Sequence, residues 1–62
     1  SDYINMIRIE KASLLLLHST MNITEISEAV GFEYPRHFST MFKQIKGMPP
    51  SQYRNNAEAG KG

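Results

Sequence analysis

The stretch GFEYPRHFSTMF, residues 31–42, decides the fold. A glycine closes one element, a proline opens the next, and apolar residues then recur at helical spacing. Phe38, Met41, Phe42 and, just beyond, Ile45 fall within about 100° of helical arc. The opposite side is centred on Arg36, Thr40 and Lys43, flanked by Ser39, with His37 and Gln44 at the other margin. Gly47 ends the pattern, so a helix is predicted over about 35–46, one side anchored in a core and the other left outward.

Upstream, Asn22-Ile23-Thr24-Glu25 reads as a helix start. The Asn22 side chain can accept from a first-turn amide while Glu25, three residues on, reaches back to the Asn22 amide. Ile23, Ile26 and Val30 make one apolar stripe, with Ser27 as a small residue that lets another helix cross closely. Gly31 stands where a left-handed residue is wanted, so this helix is only about two turns long.

From Tyr3 to about His18 no glycine or proline interrupts a run of helix formers. Its apolar side chains do not keep to one stripe: Ile4, Ile7 and Leu15 share a side, while Ile9 and Leu16 point nearly the opposite way. Such a helix expects neighbours on more than one side. A final short helix is predicted from Pro50, with Tyr53 turned inward, followed by a polar, disordered tail over 55–62. No strand pattern, repeat or Gly-rich phosphate loop is present, and the architecture is all-α.

Composition narrows the function. A chain of 62 residues without cysteine builds one domain at most, with neither a disulfide framework nor a thiolate metal site. His18 and His37 have no second ligand at metal-binding spacing, and no cofactor is expected. No nucleophile elbow or paired-carboxylate pocket points to catalysis, so the chain is not read as an enzyme. The longest apolar run, Leu14 to Leu17, is far short of a membrane span, and no signal peptide opens the chain; a soluble, cytoplasmic protein is expected.

Charge is unevenly placed. Residues 1–33 set Arg8 and Lys11 against Asp2, Glu10, Glu25, Glu28 and Glu33, whereas residues 34–54 carry Arg36, Lys43, Lys46 and Arg54 with no acid. A cationic segment of this kind attracts polyanions, and four neutralised phosphates imply a log–log salt slope of about −3.6. A short helix, a glycine turn and a second, polar-faced helix form a helix-turn-helix signal. In that motif the second helix enters the major groove N-terminus first, which places Pro35, Arg36, His37, Ser39 and Thr40 near base edges and Lys43 near a phosphate.

The order of motifs resembles the C-terminal half of the DNA-binding domain of AraC family transcription regulators, which are bacterial. Arg8, Ala12, Leu15 and Leu16 match R-x-x-x-A-x-x-L-L, and Ile23, Ile26, Ser27, Val30, Gly31 and Phe32 match I-x-x-I-[AS]-x-x-V-G-F. Phe38, Ser39, Phe42 and Lys43 match F-S-x-x-F-K, and Gly47, Pro50, Tyr53 and Arg54 match G-x-x-P-x-x-Y-R. The chain departs from the pattern at Thr40, often arginine in the family, and at Tyr34 and Pro49, which cannot cap the helices they precede.

The resemblance implies a homeodomain-like helix-turn-helix subdomain, a long linker helix plus three shorter helices, belonging to a larger regulator that binds double-stranded DNA. It implies outward recognition positions at Pro35, Arg36, His37, Ser39 and Thr40. Phosphate contacts are implied at Asn22, Ile23 and Thr24 and near the last helix at Arg54. The second apolar side of residues 3–17 would then meet an N-terminal helix-turn-helix unit, with a sensor domain elsewhere. The rival reading is a protein-interaction or dimerisation module, in which residues 3–17 self-associate.

Overall fold

The computed structural model describes residues 2–61, with side chains placed through Glu58. Four helices follow one another: α1 Asp2–His18, α2 Ile23–Ala29, α3 Pro35–Lys46 and α4 Pro50–Lys61. No strand occurs among the described residues. Helix α1 packs on each of the other three, and α3 also packs on α2 and α4.

Local chemistry sets the ends. At α2 the Asn22 amide donates to Glu25 Oε1 at 3.0 Å and the Glu25 amide donates to Asn22 Oδ1 at 2.8 Å, a reciprocal capping box. The other end is a complete Schellman motif: the Phe32 amide donates to the Ser27 carbonyl at 2.9 Å and the Gly31 amide to that of Glu28 at 3.1 Å. Gly31 takes φ +104° to make this possible. Helix α3 opens on Pro35 without a side-chain cap from Tyr34 and closes on Gly47, whose φ is +83°.

The core is built from Ile9, Ala12 and Leu16 of α1, Ile26 of α2, Val30 and Phe32 at the turn, and Phe38 and Phe42 of α3. Met41, Ile45 and Tyr53 pack against it, as do Leu15, Met21 and Ile23. Four rings step through the molecule: Phe32 to Phe38 at 5.4 Å, Phe38 to Phe42 at 5.8 Å and Phe42 to Tyr53 at 5.3 Å between centroids. Ser27 is fully buried, which is what a close helix crossing requires, and its hydroxyl is satisfied by donating to the Thr24 carbonyl at 2.8 Å.

Two expectations are corrected. Leu15 does not share the outward side of Ile4 and Ile7; it lies at the margin and packs on the core, and the exposed stripe is instead Tyr3, Ile4, Met6, Ile7 and Leu14. Helix α4 also runs on as far as Lys61, where the sequence predicts a polar tail over 55–62. Nothing between Asn55 and Ala59 breaks a helix once Pro50 has started one, and Ala57 is half-buried; Gly62 lies outside the described residues.

Arg54 ties the last helix to the first. Its Nε donates to the Leu16 carbonyl at 3.0 Å and its Nη2 to the Ser19 carbonyl at 3.1 Å. A cation at the C-terminal end of α1 satisfies carbonyls that have no helical partner and complements the helix dipole. Ser19 adds a hydroxyl bond to the Leu15 carbonyl at 2.7 Å.

Removing a fully buried phenyl ring costs about 3–5 kcal/mol, comparable to all that one small core supplies. Phe42→Ala is therefore expected to abolish the cooperative urea transition followed by circular dichroism at 222 nm. Arg54→Ala is expected to lower stability by about 1–3 kcal/mol, the range for charged hydrogen bonds left unmade, read as a lower urea midpoint with an unchanged slope.

Candidate nucleic-acid interface

Helix α3 divides into two sides. Phe38 and Phe42 are 0% exposed, and Met41 and Ile45 are packed beside them. Arg36, His37, Thr40, Lys43 and Gln44 are exposed around the rest of the circumference. Pro35 and Ser39 are half-buried, so they lie at the edges of the outward side and not at its centre. Twelve residues at 1.5 Å rise span about 18 Å, and the groove that would receive them is about 12 Å wide.

The outward side chains are held to different degrees. Thr40 Oγ1 donates to the Arg36 carbonyl at 3.1 Å, which leaves its oxygen as an acceptor only. His37 meets the ring of Phe32 edge to face, with centroids 5.5 Å apart and planes at 88°. Arg36 and Lys43 take part in no ion pair among the described residues. Tyr34, just ahead of Pro35, is 62% exposed, an aromatic ring at the rim of this surface.

The cationic segment is smaller in space than in sequence. Lys46 pairs with Glu10 of α1, so the end of α3 is charge-neutralised and fastened to the long helix. Arg54 turns its guanidinium to the carbonyls of Leu16 and Ser19, which gives it a capping role at the end of α1. Arg36 and Lys43 are the two cations of residues 34–54 whose side chains have no polar partner among the described residues.

At the start of α2 the capping box uses the Asn22 side chain and the Glu25 amide. Ile23 packs on the core, and Thr24 is exposed. Among the described residues nothing accepts from the Ile23 and Thr24 amides, the first two donors of the helix.

One participant is not evident from the sequence pattern. Arg8 of α1 sets its guanidinium carbon 5.6 Å from the centroid of Phe32, and its Nε lies 3.2 Å from where a Cβ on Gly31 would stand. The alternating charges and apolar residues of α1 give no sign that Arg8 reaches the turn between α2 and α3.

Comparison with known proteins agrees with this geometry. A helix-turn-helix domain family model matches residues 1–56. The chain is 44% identical over 55 residues to the HTH-type transcriptional activator RhaR of Salmonella arizonae, and equally to that of Salmonella paratyphi B. Each match covers 89% of this chain and 20% of the relative, so the chain spans about a fifth of the length of these curated relatives. Among solved structures it is similar to the C-terminal domain of the two-component response regulator yesN from Fusobacterium nucleatum, with a TM-score of 0.83 and 47% identity. That match covers 86% of this chain and 52% of the other. With two helices joined by the Gly31 turn, an outward-facing α3 and a family match over nearly its whole length, the chain belongs to the AraC-type helix-turn-helix family.

Proposed function

We propose that this chain binds duplex DNA with sequence preference and serves transcription regulation, with α3 in the major groove. The observation that carries the reading is the division of α3: Phe38 and Phe42 fully buried, Arg36, Thr40 and Lys43 exposed on the other side. Arg36 near the leading end suits the O6 and N7 acceptors of a guanine, while His37, Thr40 and the edge residues Pro35 and Ser39 line the same approach. Lys43, one turn further on, suits a phosphate. The unpaired amides of Ile23 and Thr24, beside Asn22, suit a second phosphate.

The chain acts within a longer cytoplasmic regulator. Tyr3, Ile4, Met6, Ile7 and Leu14 form an apolar stripe on α1, with Tyr3 71% and Leu14 58% exposed, that an N-terminal helix-turn-helix unit would cover. A sensor domain would lie elsewhere in such a protein. The same stripe favours a second reading, a helical interaction module, and the two are compatible. In sedimentation equilibrium the isolated chain is expected to self-associate at millimolar concentration; a strict monomer there would remove the support for an adhesive stripe.

DNA binding is tested by titrating the chain against labelled duplexes selected from a random pool. With Lys46 paired to Glu10, the log–log salt slope is expected to be shallower than the value of about −3.6 that four phosphate-neutralising cations imply. A flat salt response would refute the interface. Arg36→Ala is expected to erase about 1–3 kcal/mol of preference at one base pair. Lys43→Ala is expected to weaken selected and scrambled duplexes alike and reduce the slope by about 1. Equal effects of both substitutions would overturn the division of roles.

A further inference from the structure

We propose that Arg8 is a positioning residue for base readout: from the long helix it holds the His37 imidazole in place through the ring of Phe32, without touching DNA. The inference rests on the DNA-binding reading for its consequence and on contacts within the chain for its geometry.

Phe32 is 4% exposed and is the meeting point of three elements. Its backbone is pinned by the bond from its amide to the Ser27 carbonyl at 2.9 Å. Its ring packs on Phe38 at 5.4 Å, receives the Arg8 guanidinium at 5.6 Å and meets His37 edge to face at 5.5 Å. A cation over an aromatic face is attracted by the ring quadrupole, and the guanidinium also shields the ring from water. The glycine at position 31 matters to this arrangement, because a Cβ there would press on Arg8 Nε at 3.2 Å.

His37 sits on the outward side of α3, and among the described residues no hydrogen bond fixes its ring. Its orientation therefore depends on the edge contact with Phe32. Withdrawing Arg8 uncovers that ring, which is then free to shift toward the vacated space, and the imidazole loses the surface that aims it. A base contact depends on donor placement to a few tenths of an ångström, so a displaced ring reads its base pair less selectively.

The experiment uses Arg8→Met, which keeps an apolar stem, and Arg8→Lys, which keeps the charge, with folding verified by circular dichroism. Without DNA, the His37 ring-proton resonances, assigned with a His37→Gln variant, are expected to move in Arg8→Met, to move less in Arg8→Lys, and to leave those of His18 in place. With duplexes, the base pair read by His37 is the one whose preference His37→Ala relaxes. Arg8→Met is expected to relax that same pair by about two- to fivefold. Binding to scrambled duplex and the salt slope should stay unchanged, and Arg8→Met should add nothing in the His37→Ala background.

Unmoved His37 resonances would overturn the proposal, as would a loss on all duplexes with a shallower salt slope, which would make Arg8 a phosphate contact. Relaxation that persists in the His37→Ala background would overturn it too. If Arg8→Met unfolds the chain, the Arg8→Lys resonances and base preference decide by the same criteria. A parent chain that prefers no duplex would end the DNA-binding reading, and the resonances measured without DNA would still decide whether Arg8 aims His37.

Discussion

Burial of Phe38 and Phe42 against α1 is the constraint from which the exposed surface follows. A helix with two fully buried rings cannot rotate about its axis without exposing one of them, and each ring is worth a large part of the stability of so small a core. The ring sequence from Phe32 through Phe38 and Phe42 to Tyr53 extends that constraint from the turn to the last helix. Rotation of α3 is thus tied to packing throughout the chain, and Arg36, Thr40 and Lys43 are presented as a consequence.

Helix α1 is the element every other helix rests on, and its polar contacts determine what charge remains available. Glu10 takes up Lys46, and the carbonyls of Leu16 and Ser19 take up Arg54. Both contacts fasten the C-terminal half of the chain to α1, and the Glu10 carboxylate also offsets the charge of Lys46. The outcome is an interface with few cations. In such an interface affinity leans on backbone amides, groove contacts and whatever a neighbouring unit supplies, and a larger share of the binding free energy is sequence-dependent.

The same helix carries an unpartnered apolar stripe on its far side and Arg8 on the side facing the turn. Anything that docks on the stripe would therefore press on a rod that also touches Phe32, and through it the outward side of α3. One rigid element thus carries both the apolar stripe and the Arg8 contact to Phe32.

Much of the architecture is legible in the sequence because the responsible forces are local. Pro35 and Gly47 bound α3, Asn22 and Glu25 cap α2, and Gly31 ends it, since hydrogen bonds and steric limits over three or four residues act alike in any context. The apolar side of α3 follows from helical period alone. The sequence does not contain the assignment of long cationic side chains. Arg54 finds carbonyls 35 and 38 residues away, and Lys46 a carboxylate 36 residues away. Arg8 reaches a ring on the far side of the turn. Those partners are chosen by which helix ends and rings the packed core brings within reach: local patterns reveal the bounds of α2 and α3 and the outward side of α3, while long-range packing sets which cations stay without a partner.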